Sequence, residues 1–147
     1  MKRKLAAIVL AAGKGERMHS DIPKVLHEVC ARPMLSYVLD VVKELNVDQV
    51  VAVLGYKHQK VRPVITPRVK VAVQKKLQGT ADAVKEGLKL LQGFHGDVLI
   101  LYGDIPLLRK ETIRKLLQYH VSSKVDATIL TAQVEKPQGY GRILRDQ

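Results

Sequence analysis

A doubly wound, mostly parallel α/β sheet is the fold predicted for this chain, and two observations predict it. Apolar runs of strand length recur along the 147 residues, and segments with helical apolar spacing separate them. Most of the runs are continuous rather than alternating, the pattern of strands covered on both faces. Strands alternating with helices build parallel units, and such sheets bind ligands beyond the carboxyl ends of their strands.

The elements follow in order. Residues 5–11 are the first strand. Leu35, Val38, Val42 and Leu45 mark one face of a helix. Residues 50–54 and 69–73 are the next two strands. Val84, Leu88 and Leu91 mark a second helix face, residues 98–102 a fourth strand, and Ile113, Leu116 and Leu117 a third helix face. Residues 127–134 complete the set as a fifth strand. No repeat or low-complexity linker interrupts the series, and one domain of this length can bury a proper core.

Composition narrows the function classes. Apolar residues make up 46% and charged residues 27%, ordinary for a soluble globular protein. The net charge of +11 admits two readings: a surface for nucleic acid or anionic membranes, or scattered solvated lysines plus a few that face a small anion. The second is preferred. The 25 Lys and Arg are spread along the chain without aromatic interleaving, so no platform for stacking bases is expected. Cys30 stands alone, which excludes a disulfide framework and a Cys-based metal site; it reads as a small buried hydrophobe in a reducing, cytoplasmic compartment. Met1 to Lys4 and the apolar run after them have the outline of a signal peptide. That run is short and leads into Gly-Lys-Gly-Glu-Arg, so a core strand is expected instead. No stretch approaches the roughly 20 apolar residues of a membrane span, and no membrane partner is expected.

The chemistry concentrates where strands end. Leu10-Ala11-Ala12-Gly13-Lys14-Gly15-Glu16-Arg17-Met18 leaves the first strand through a loop almost bare of side chains, with cations beside it. Gly13 and Gly15 permit positive φ and close approach, which is how backbone N–H groups are offered to phosphate. The stretch is neither a P-loop nor the dinucleotide fingerprint, whose third glycine is replaced by Met18. A tight turn would explain it equally well on its own. Asp21-Ile22-Pro23-Lys24 sets a lysine on a stiffened turn. Gln74 ends the third strand, and Leu77-Gln78-Gly79-Thr80-Ala81 opens a helix, as a plain cap or as a ligand-facing hydroxyl and N–H. Tyr102-Gly103-Asp104 delivers one carboxylate at the end of the fourth strand. Such a carboxylate can cap the next helix, or can hold Mg²⁺ together with phosphate oxygens.

These motifs, with Pro23-Lys24-Val25-Leu26-His27 and Gly139-Tyr140-Gly141-Arg142, resemble those of the sugar-nucleotide pyrophosphorylases. Within that superfamily they are most similar to the uridylyltransferase domain of the bifunctional N-acetylglucosamine-1-phosphate uridylyltransferase/glucosamine-1-phosphate acetyltransferase family. The resemblance covers essentially the whole chain and implies a Rossmann-like nucleotidyltransferase sheet. It implies in-line attack by a sugar 1-phosphate on the α-phosphorus of UTP, with Mg²⁺ as cofactor. By the same resemblance, Leu10, Ala11, Ala12 and Gly13 hold uracil and ribose through backbone groups. Gln74 bonds the uracil edge, and Gly79 and Thr80 complete that pocket. Arg17 and Lys24 stabilise charge on the triphosphate, Asp104 binds the metal, and Tyr102, Gly103 and Gly141 line the nucleotide-sugar site.

Departures from the family pattern are few. Glu16 stands where Thr is common and is expected to point outward. Ala31 replaces a usual Gly, and Asp82 replaces a frequent His after Gly-Thr, where a helix N-terminus suits a carboxylate. Gly139 to Leu144 reads as a turn entering a strand, as if the sequence were cut short. In the family, the transferase domain continues with sugar-gripping residues and an Asn that is a second Mg²⁺ ligand. A left-handed β-helix acetyltransferase domain follows, through which the family forms homotrimers. Residues 1–147 thus correspond to the nucleotide-binding part of the first domain, with weak or no turnover expected of it alone. Two other readings stay open: transfer to a different sugar phosphate or from a different nucleotide, and a non-catalytic basic module.

Overall fold

In the computed structural model β1 (Leu5–Ala11) runs through the middle of a four-stranded sheet of order β5-β4-β1-β6. It is paired in parallel with β4 (Gln49–Leu54) and β6 (Asp97–Tyr102), and β4 pairs in parallel with β5 (Lys70–Val73). Residues 3–76 and 78–144 are described; residues 1–2, Leu77 and residues 145–147 lie outside them. The continuous apolar run predicted for the first strand is what a doubly covered central strand requires: Ala6, Ala7, Ile8 and Val9 are fully buried.

The chain leaves β1 through α1 (Met34–Glu44) to reach β4. It passes α2 (His58–Val61) to β5, then returns through α3 (Thr80–Lys89) to β6 on the other side of β1. Right-handed crossovers in opposite directions put α1 and α3 on opposite faces, so the sheet is doubly wound, as expected. Ile8, Leu10, Val51 and Val53 pack with Ala83 and Leu91 on one side; Leu35, Val38 and Val42 of α1 are buried apart from that cluster. The buried stripe of α3 is Ala83 and Gly87 with Val84 beside it, while the predicted Leu88 is exposed. Helix and sheet approach too closely there for larger groups: a Cβ on Gly87 would lie 2.9 Å from Ile8 Cγ2 and 3.0 Å from Val53 Cγ2.

Three expectations are corrected. β6 is not covered on both faces: Leu99 and Leu101 are buried, but Val98, Ile100 and Tyr102 are exposed. α3 lies over β1, β4 and β5, and β6 is the edge strand beyond its reach. Residues 127–134 form no strand and are almost all exposed, because no neighbouring strand takes up their backbone groups. Cys30 is exposed rather than buried. It sits with Ala31 in the two-residue turn between β2 (Glu28–Val29) and β3 (Arg32–Pro33), an antiparallel pair.

The chain divides into two units, residues 1–113 and 114–147. α4 (Lys110–Ser123) starts in the first, where Ile113 is buried. In the second, the His120 ring Nδ1 and the Thr128 hydroxyl are 2.9 Å apart.

Candidate active site

A cavity of about 360 Å³ opens at the carboxyl ends of β1, β5 and β6. This is the rim at which a doubly wound sheet binds its ligands, and the volume suits a small organic molecule. Its floor is the loop from β1: Leu10, Ala11, Ala12 and Gly13 all line it. The carbonyls of Leu10 and Ala12 already accept hydrogen bonds from the backbone N–H of Gly103 (2.8 Å) and Tyr56 (3.0 Å), so the floor is rigidly tied to its neighbours.

Gly15 explains the second glycine of the loop. Its φ is +71°, and a Cβ there would fall 2.6 Å from the Cβ of Lys24. Glycine is thus required twice, for the backbone conformation and to seat Lys24. Gly13 is not in the left-handed region, and a Cβ on it would meet nothing. Lys24 opens a short 3₁₀ turn after the buried Pro23 and is followed by the buried Val25, so the turn is anchored on both sides of the cation. Lys24 Nζ pairs with Asp104 Oδ2 at 2.7 Å, and both residues line the cavity.

The opposite wall carries Gln74, Gly79 and Thr80. Gln74 is the buried polar residue among those described, its backbone N–H bound to the Leu54 carbonyl at 2.7 Å. Its Nε2 donates to the Gly79 carbonyl (3.1 Å) and to Asp82 Oδ2 (2.8 Å). Gly79, with φ +100°, makes the turn into α3, and Thr80 begins the helix without a side-chain cap at the residue before it. Tyr102 lines the cavity from the end of β6. Gly103 does not line it; it packs under the floor, where a Cβ would lie 3.0 Å from Leu35 Cδ1.

Besides Gly103, two further predicted site residues do not line the cavity. Arg17 lies exposed on the 3₁₀ turn Glu16–Met18, just past the rim. Gly141 belongs to the second unit, outside regular structure. Glu16, expected to point outward, is largely exposed but lines the cavity at its rim, with Lys14 Nζ 3.7 Å away.

Two residues have supporting roles that the sequence did not signal. Lys57 Nζ donates to the Asp21 carbonyl and to Asp21 Oδ1, both at 2.9 Å, and lies 5.2 Å from the centre of the Tyr56 ring. It fastens the turn carrying Lys24 to the end of β4. The hydrogen bond from Lys57 holds the Asp21 carboxyl below its ordinary value, and the same bond holds Lys57 above its own. Asp82 was noted only for its place at a helix N-terminus; its contact with Gln74 links positions eight apart across a turn, which no local pattern signals.

No group of three or more His, Cys, Asp or Glu able to hold a metal occurs among the described residues. Two carboxylates line the cavity, Asp104 and the largely exposed Glu16, and Asp104 is the one paired with Lys24. That fits a hard cation that takes most of its oxygens from phosphate and water, and not an ion caged by protein alone.

The MobA-like NTP transferase domain family matches residues 7–146. The bifunctional protein GlmU of Pelotomaculum thermopropionicum is 45% identical over 142 residues, covering 97% of this chain and 31% of that protein. The GlmU of Alkaliphilus metalliredigens is also 45% identical, over 143 residues, with the same coverage. The chain therefore spans about a third of the length of the curated relatives it matches. Among solved structures, Rv0371c of Mycobacterium tuberculosis superposes with a TM-score of 0.72 at 23% identity, over 83% of this chain and 63% of that one. The same protein in complex with manganese gives 0.67 at 22% identity, over 81% and 60%. The chain belongs to the MobA-like NTP transferase domain family, within which it matches the N-terminal part of GlmU.

Proposed function

We propose that this chain supplies the nucleotide and metal site for uridylyl transfer from UTP to N-acetylglucosamine 1-phosphate, giving UDP-N-acetylglucosamine and pyrophosphate. One observation carries the reading. A bare backbone floor, the Lys24–Asp104 pair and the buried Gln74 meet around one cavity at the carboxyl rim of the sheet. That combination suits a ligand with a flat polar base at one end and a polyphosphate at the other.

In this reading the backbone of residues 10–13 carries the nucleoside, Gln74 meets the base edge, and Gly79 and Thr80 close the pocket beside it. Lys24 shifts from Asp104 to the phosphates and neutralises charge as pyrophosphate leaves. Arg17, exposed at the rim and in no ion pair among the described residues, is placed to fold over the same phosphates. Tyr102, at the end of β6, is assigned to the nucleotide-sugar side. Mg²⁺, when bound, would supply charge neutralisation on the phosphates, with Asp104 as its protein ligand. The transfer breaks the bond between the α-phosphorus and the leaving pyrophosphate oxygen as the sugar phosphate oxygen bonds to phosphorus. The protein's contribution is alignment of the three groups and cancellation of charge.

The test is calorimetric titration of the chain with UTP, with and without Mg²⁺. Saturable binding is expected, tightened by Mg²⁺, with the tightening lost in Asp104→Ala. Absence of saturable UTP binding in both conditions overturns the reading.

A further inference from the structure

We propose that Asp82 is a specificity-determining positioning residue: it locks the amide of Gln74 so that only its oxygen is offered to the cavity. This deepens the nucleotide reading above and rests on it.

The Gln74 side chain is 4% exposed and lines the cavity. Its amide nitrogen faces the Gly79 carbonyl and an Asp82 carboxylate oxygen, both of which only accept hydrogen bonds. Exchanging amide N and O would set oxygen against two oxygens in a buried place, so chemistry fixes the orientation. Both protons on Nε2 are thereby used inside the protein. Oε1 receives no hydrogen bond among the described residues, so an acceptor is what Gln74 has left for a ligand.

A locked acceptor discriminates between pyrimidines. Uracil carries a donor, N3–H, between two carbonyl oxygens. Cytosine carries an acceptor at N3, and an oxygen facing it sets lone pair against lone pair. With the Asp82 carboxylate gone, only the Gly79 carbonyl still holds Nε2, so turning the amide over to present a donor costs less and CTP is disfavoured less. Asp82 touches neither base in this account; it acts through Gln74, and its place in the first turn of α3 favours its negative charge.

The experiment is a comparison of UTP and CTP dissociation constants, with Mg²⁺, for the chain and for Asp82→Leu and Asp82→Asn. The wild type is expected to prefer UTP. Asp82→Leu should reduce the UTP/CTP preference about tenfold, the scale of one buried mismatched hydrogen bond. Asp82→Asn, whose side-chain oxygen still accepts, should retain it. A merely structural role would weaken both nucleotides equally and leave the ratio unchanged. An unchanged ratio in Asp82→Leu, or a wild type that binds both equally, overturns the inference while the nucleotide reading stands. Failure of the wild type to bind either overturns both. Should Asp82→Leu not fold, hydrogen exchange of side-chain amides in the wild type decides. Gln74 Nε2 protons should exchange far more slowly than those of the exposed Gln59, and equal rates would show that no lock exists.

Discussion

Lys24 Nζ and Asp104 Oδ2 lie 2.7 Å apart, joining the turn after the first loop to the end of β6 across the mouth of the cavity. The two side chains are 34% and 26% exposed, so the pair stabilises the fold by less than about 1 kcal/mol. Its consequence is for ligands: each partner already compensates the other before phosphate and metal arrive. Lys24→Ala should weaken UTP binding about tenfold both in Mg²⁺ and in EDTA, because a phosphate contact is lost in either case. Asp104→Ala should weaken it only in Mg²⁺. Calorimetry on both variants checks this; identical metal dependence in the two would break the assignment of roles.

The two loop glycines make a matched pair of opposite expectations. Alanine at Gly15 meets both a positive φ and the Cβ of Lys24 at 2.6 Å. Gly15→Ala should cost about 2 kcal/mol or more of stability and misplace Lys24. Gly13 has neither constraint, so Gly13→Ala should leave stability within about 0.5 kcal/mol while its methyl group, at the cavity floor, weakens UTP binding. Urea unfolding with nucleotide titration separates the two. Equal stability losses would mean that the loop is not built as described.

The sheet was legible because its physics is local. A strand buried on both faces must be a short apolar run, and residues 5–11 and 50–54 are such runs; residues 69–73 form an edge strand with Lys70 exposed. Residues 127–134 are also rich in apolar residues, though broken by Thr128, Thr131 and Gln133, and form no strand, since a strand also needs a partner edge that no window of sequence contains. Cys30 was misread for a related reason: its exposure follows from the register Val29↔Arg32, which turns residues 30 and 31 into a hairpin tip. The site was legible as motifs, since Gly13, Gly15, Lys24, Gln74 and Asp104 each sit at a strand end or in the turns that follow. What holds those residues was not legible: the Lys57–Asp21 contact spans 36 positions and depends on how two loops pack.

That contact carries a pH prediction. Asp21 is held below its ordinary value near 3.8 by the hydrogen bond from Lys57. A depressed carboxyl contributes above its unfolded value and loses that contribution as pH falls through its folded value, so the latch opens in acid below about pH 4. Lys57 is raised above 10.5, chiefly by the same bond, so its part is complete below that value and is lost only at higher pH. Between these limits the turn bearing Lys24 stays fastened. An NMR titration of the Asp21 carboxyl should show a midpoint below 3.8 that rises toward it in Lys57→Met. A midpoint unchanged by that substitution would mean the pair is absent in solution.

Ala31 offers a test on stability alone. Cys30 and Ala31 both have positive φ, 50° and 58°, as a two-residue hairpin turn demands of its central positions. An alanine in the left-handed region costs roughly 1–2 kcal/mol, whereas glycine at the same place costs nothing in the folded state. Glycine does add freedom to the unfolded chain, a penalty of about 0.4–1 kcal/mol. The first term is the larger, so Ala31→Gly should stabilise the protein by about 0.5–1 kcal/mol. Ala31 does not line the cavity, so UTP affinity should be unchanged. Urea midpoints measured beside the wild type decide it: a lower midpoint for the glycine variant would mean the turn is not left-handed at residue 31.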